Sequence, residues 1–213
     1  MQKVMQAYGE DARNAMILSD ALNPIAAQLV EELIKRIDLN LDWAELSESF
    51  ILLKGQAVKL LIDKALFDKG ISEGKYFEAY LRRRTIGRIL AHIPKENISN
   101  IMAKEIPADS PDYMLKNLIE IVGAMEHEEI VGILRIPLHS PDISIRRKAV
   151  FTLGKMRAQE SALLLIEALK DTDTRIVKEA LLALKGRKDN FAADALKAAK
   201  EDKNLADDIR REI

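Results

Sequence analysis

The side chains most able to do chemistry here are cations. Arg84, Lys116 and Arg146 recur along helical stretches, and Arg82, Arg83, Arg88, Arg147 and Lys148 thicken the column they form. Cations so arranged could hold an anionic ligand or a nucleic-acid backbone. The competing reading is structural: Asp142 and Arg146 stand four apart and can pair on one helix face. The overall balance favours the structural reading. The 213 residues carry 33 Lys+Arg against 34 Asp+Glu, a formal net charge of -1, where a phosphate binder needs a basic surplus or a strong basic stripe.

Other chemistries fail on residue type or spacing. There is no Cys, so disulfides, thiolate metal sites and Cys nucleophiles are excluded. His127-Glu128 is the one His-Glu dipeptide, and His92 and His139 have no adjacent Glu. Neither carboxylates nor histidines repeat at ligand spacing, and His127 is assigned to a solvated turn between helices. Ser110, Ser140 and Ser144 fall at turns and caps, and there is no nucleophile elbow, phosphate loop or dinucleotide fingerprint. The expectation is a non-enzyme with no catalytic, cofactor or metal site. Met1 to Glu10 is polar, unlike a signal peptide, and no apolar run could span a bilayer, so a cytoplasmic protein with no membrane partner is expected.

The elements that carry these residues read as helices. Hydrophobic residues make up 48% of the chain and aromatics 5%, so the core must come from Leu, Ile, Val, Ala and Met. Leu163 to Ile166 could pass for a buried strand, but it sits between charged ends with Ala162, Leu165, Ile166 and Leu169 at helical spacing. Asn23-Pro24 opens a helix to about Ile37, and Asp42 caps one to about Lys54 that Gly55 ends. Gln56 to Asp68 follows, then a Gly70 to Gly74 loop, then Tyr76 to Ile93 stopped by Pro94. Ser110-Pro111-Asp112 and Ser140-Pro141-Asp142 are twin turn-and-cap signals, and Asp171-Thr172-Asp173 is a third.

These caps mark an internal repeat. Leu134, Leu165 and Leu196 are spaced by 31, as are Val131, Ala162 and Ala193, then Ile119, Val150 and Leu181, then Val122, Leu153 and Leu184. Gly123 and Gly154 align, with Lys185 in the third copy and Gly186 beside it. Each copy holds two short helices. The A helices are about Asp112 to Ala124, Ile143 to Met156 and Thr174 to Lys185. The B helices are about Glu128 to Ile136, Glu160 to Lys170 and Phe191 to Lys200. Upstream, Ile98, Ile101 and Met102 match Ile130, Ile133 and Leu134 at an offset of 32, and Leu60 to Asp63 resembles Leu164 to Glu167. One helix pair cannot bury its apolar stripe alone, whereas stacked pairs share a continuous core, and the repeated columns are expected in it. The expected fold is all-α: one right-handed α-solenoid (an α-α superhelix) of about five helix pairs. Residues 1–41 would form a helical extension, continuous with a repeat unit at 42–213 that ends in a helix from about Asn204.

Asp142, Ile145-Arg146, Ala149 and Leu153-Gly154 resemble the first helix of a HEAT-like repeat, and more closely the short repeats of about 30 residues first associated with phycobilisome lyases. The next copy keeps Asp173, Ile176, Ala180 and Leu184, with Val177 in place of the Arg; the previous one has Asp112, Leu115-Lys116 and Val122-Gly123. The resemblance is strong over about Ser110 to Lys200 and weaker back to about Asp42. It implies an armadillo-like solenoid whose B helices line a concave face, acting as a protein-binding scaffold, adaptor or regulatory subunit. It also implies that the Asp and Arg tie adjacent repeats together.

Related activities set the alternatives. HEAT-like DNA glycosylases hold DNA, which would use the basic column. HEAT-like deoxyhypusine hydroxylases need several His-Glu pairs, and one cannot build that centre. A role as accessory subunit of a bilin-lyase-like enzyme follows from the resemblance alone, since no residue here specifies a bilin pocket. The favoured partner is a protein, gripped by outward positions of the B helices: Glu128, Glu129, Arg135, Glu160, Leu163, Glu167, Asp194 and Lys197. Trp43 is expected as a core anchor, and Met102, Met114, Met125 and Met156 as core filler.

Overall fold

The computed structural model describes residues 54–69, 76–91, 109–125, 128–203 and 205–213, with isolated positions at 28 and between 93 and 107. Every regular element among these is a helix. In chain order they are α1 (Lys54–Leu66), α2 (Tyr76–Leu90), α3 (Asp112–Met125), a 3-10 helix η1 (Glu128–Leu134), α4 (Arg135–Leu138), α5 (Ile143–Lys155), α6 (Gln159–Ala168), α7 (Thr174–Gly186), α8 (Asn190–Glu201) and α9 (Asp207–Glu212). The A helices are thus α3, α5 and α7; the B helices are η1 with α4, then α6, then α8. Apart from position 28, the extension at 1–41 lies outside the described residues, as do Asp42, Trp43, His92 and His127.

Local sequence sets the helix starts. The Asp142 carboxylate accepts from Ser144 N at 2.7 Å and caps α5; Asp173 accepts from Arg175 N at 2.8 Å and caps α7. Asp189 caps α8 through Ala192 N at 2.8 Å, a cap not read from the sequence. The turns before α5 and α7 are built alike: Ser140 Oγ accepts from Asp142 N at 3.2 Å, and Asp171 Oδ1 accepts from Asp173 N at 2.8 Å. Two local readings need correction. Gly55 lies inside α1 rather than ending a helix before it. The first B helix begins as a 3-10 helix and continues to Leu138. Pro137 offers no N–H to the carbonyl four residues back, and Gly132 weakens helix propensity, so an unbroken α-helix is not the best solution there.

Packing follows the repeat. From α3 onward, the contacts among the described helices run within a pair or between consecutive pairs: α3 on α5, α5 on α7, and η1, α6 and α8 in a row; upstream, α2 lies on α3, and α1 packs on α3 as well as on α2. Ile119, Val150 and Leu181, and Val122, Leu153 and Leu184, are all buried. The degenerate upstream match holds too: Ile98 and Met102 are buried as Ile130 and Leu134 are, while Ile101 and Ile133 are both half-buried. The two B-helix columns are the exception in their last copy. Val131 and Ala162 are buried but Ala193 is exposed and Leu196 half-buried, because α8 has only the short α9 packed beyond it. Met102, Met114, Met125 and Met156 are buried, as expected.

Candidate protein-binding surface

The basic column is largely consumed by the joints between repeats. Arg146 lies at the start of α5, where its guanidinium reaches both neighbouring turns. It donates to the Asp171 carboxylate at 2.8 and 3.1 Å, to Ser140 O at 2.9 Å and to Pro141 O at 3.1 Å. Its carboxylate partner is therefore Asp171, one repeat on, and not Asp142 on its own helix. Asp142 is occupied by its cap, with Lys116 of α3 at 3.5 Å. Arg147 pairs with Glu179 of α7, and Lys148 with Glu120 of α3 at 2.6 Å. Arg83 is not part of an accessible stripe at all. It is 1% exposed, donates from Nε to Glu120 at 2.7 Å and lies 3.8 Å from Asp68. Arg84 is exposed over the Tyr80 ring, 5.8 Å from its centroid.

Arg187, in the turn after α7, does for the other edge what Arg146 does for the first. It donates to Met156 O at 2.5 Å, Arg157 O at 2.7 Å, Ala158 O at 3.0 Å and the Ser161 hydroxyl, while Asp189 holds its Nε at 2.8 Å. A charged side chain alone in a turn gives little signal, and this role was not read from the sequence.

The cap carboxyls sit below their ordinary range. Asp173 is held down to about 2 by Arg175, whose side chain and backbone N–H both donate to it. Ser144 lowers Asp142, and the Ala192 backbone N–H lowers Asp189. Each binding partner favours the ionised form.

The outward B-helix positions are brought together in part. Arg135 is exposed and reaches Glu167 at 3.2 Å; His139 Nε2 lies 2.7 Å from the same carboxylate. Glu160, Asp194 and Lys197 are exposed, and Leu163 is 54% exposed. Glu128 and Glu129 open η1, but their side chains lie outside the described residues. These positions are mixed in charge with one large apolar side chain.

The outer face of the A helices differs. Phe151 of α5 is 63% exposed and Leu182 of α7 is 70% exposed. They stand 31 apart, so the same register that finds the core finds them, in a column that has Glu120 in the copy before. That signal was in the sequence and was missed by following cations alone. Two cavities adjoin Phe151. One of about 490 Å³ lies between α2, α3 and α5, bordered by Arg84, Gly123, Lys148, Lys155 and Arg157. The other, about 550 Å³, lies between α5 and α7, bordered by Arg147, Gly154, Glu179, Leu182 and Ala183. Gly154 lets the two helices approach closely: a Cβ there would stand 2.9 Å from Ala183 Cβ, so the Ala183 methyl alone separates them at that point. No three His, Asp or Glu among the described residues gather as a metal site, and none of the described helices is long and apolar enough to cross a membrane.

Residues 132–213 match the family model of HEAT repeats. The match supports HEAT-like repeats in this stretch, from η1 to α9, in which Arg146 and Arg187 join successive pairs. No curated protein and no solved structure matches the chain. HEAT repeats generally serve in protein interaction, by stacking helix pairs into an extended surface.

Proposed function

We propose that this protein is a non-catalytic protein-binding scaffold, adaptor or regulatory module, cytoplasmic and without a cofactor. The observation that carries this reading is how the polar groups are used. Arg146, Arg147, Lys148 and Arg187 are engaged in joining repeats, while Phe151, Leu182 and Leu163 face outward with no core to fill. Polar groups spent on rigidity and apolar groups spent on the surface suit recognition better than proton or group transfer. Packing between consecutive pairs from α3 onward supports a stacked solenoid, which in this reading is a right-handed superhelix of about five pairs, of the phycobilisome-lyase type, with B helices on its concave side. In this reading residues 42–213 are the repeat unit and 1–41 its extension. Nucleic-acid binding is the weaker reading, because most of the column's cations already face carboxylates.

Affinity capture with the full chain, followed by mass spectrometry, tests the function. The expected result is a protein partner retained after nuclease treatment. Reproducible recovery of nucleic acid or pigment with no protein would overturn it.

A further inference from the structure

We infer that the A-helix face binds an acidic, apolar-anchored segment of another protein, lying across α3, α5 and α7 with Phe151 at its centre. This rests on the scaffold reading and specifies where the partner sits and what chemistry it brings.

Three observations converge. First, the two cavities share Phe151, Lys148 and Lys155, so they form one continuous surface. Second, that surface is uneven. Gly123 and Gly154 add no side chain where Thr152 Cγ2 and Ala183 Cβ stand against them, and Phe151 and Leu182 are exposed nearby. Adjacent A helices lie about 8–10 Å apart. Two apolar residues seven apart on a bound helix are separated by about 10 Å and could enter both cavities. Third, the charge is one-sided. The cavities are bordered by five cations, Arg84, Arg147, Lys148, Lys155 and Arg157, against two carboxylates, Glu120 and Glu179. Both carboxylates are already paired, Glu120 with Arg83 and Lys148, Glu179 with Arg147. Lys155 rests 4.0 Å over the Phe151 ring and Arg84 over Tyr80, and Arg157 has no carboxylate partner among the described residues. In a chain of net charge -1, a local surplus of three cations around exposed apolar side chains is the complement of carboxylates flanking apolar anchors.

The test is selection from a random-peptide display library on the immobilised full chain, followed by anisotropy with the enriched peptides. Expected are acidic peptides bearing Leu, Phe or Trp, whose affinity falls about tenfold or more with Phe151→Ser/Leu182→Ser and measurably with Lys155→Glu. Both positions are surface, so helicity and thermal midpoint should be retained. Enriched peptides that are neutral or basic would overturn the inference. So would binding that survives the double substitution but is lost with Leu163→Ser, self-association through Phe151 and Leu182, or oligonucleotide binding at this face. Partner capture that persists in the Phe151→Ser/Leu182→Ser chain would remove the groove and leave the scaffold reading standing; loss of all protein capture by the unaltered chain removes both.

Discussion

Between α2 and α3 the polar contacts are buried; between α5 and α7 they lie in turns and on the surface. At the first joint, Arg83 and Asn117 are each 1% exposed. Arg83 holds Glu120, while Asn117 Nδ2 reaches back to the end of α1 at Leu66 O and to Asp68 O in the turn after it, both at 2.9 Å. Gly87 brings the helices so close that a Cβ there would stand 2.7 Å from Ala124 Cβ and 2.8 Å from Ile121 O. At the second joint, Arg146 clamps two turns from the edge and Arg147 spans the outer face to Glu179. The difference tracks the sequence. Where copies are regular, aliphatic columns and Asp caps already set the register, and surface pairs only reinforce it. Where the repeat is degenerate, a buried polar set specifies which helix meets which, at the risk that goes with desolvated charge.

The largest expected effect breaks the buried joint. Arg83→Met should cost about 3 kcal/mol, the low end for breaking a buried pair, because Glu120 loses Arg83 but keeps Lys148, and adding Glu120→Leu should restore much of that. Denaturant unfolding reads both, and a single substitution with little effect would make the two joints equivalent. Next comes steric closeness. Gly87→Ala should cost about 1–3 kcal/mol, since backbone as well as side chain stands in the way. Gly186→Ala, with nothing within 4 Å, should be tolerated. Thermal midpoints compare the two.

Arg146→Ala should cost about 1–2 kcal/mol through lost charge-assisted hydrogen bonds, and more than Arg147→Ala at the surface. Equal losses would mean that the outer pair, rather than the turn clamp, holds the later repeats. The smallest effect is in acid. Asp142, Asp173 and Asp189 have folded-state pKa values lowered from the ordinary carboxylate value, Asp173 to about 2. Their ionised forms therefore stabilise the fold above about pH 4, and that contribution fades as pH falls toward about 2. Replacing all three by Asn keeps a cap but removes the charge. The midpoint-against-pH curve should flatten between about pH 4 and 2, with little change for α2 and α3, which lack these caps. An unchanged slope would mean that these cap carboxyls do not set the acid sensitivity.

Much of the fold was legible because its signals are local or periodic. Asp142 and Asp173 cap where the caps were read, and the columns through Val150 and Leu153 are core. The column through Ala193 failed because a period says which face a residue is on, not whether another helix covers that face. The candidate site was less legible. Cations at helical spacing looked like one stripe, yet a helix that packs on both neighbours turns such a stripe partly inward, as Arg83 shows.

By itself the sequence determined the helices, their starts and the 31-residue register, since capping and periodicity act within a few residues of chain. Only the tertiary structure decided that Arg146 answers to Asp171, that Arg83 is buried, and that Phe151 and Leu182 face solvent beside two cavities. Those outcomes depend on which side chains from other repeats arrive within a few ångströms, and local spacing carries no such information.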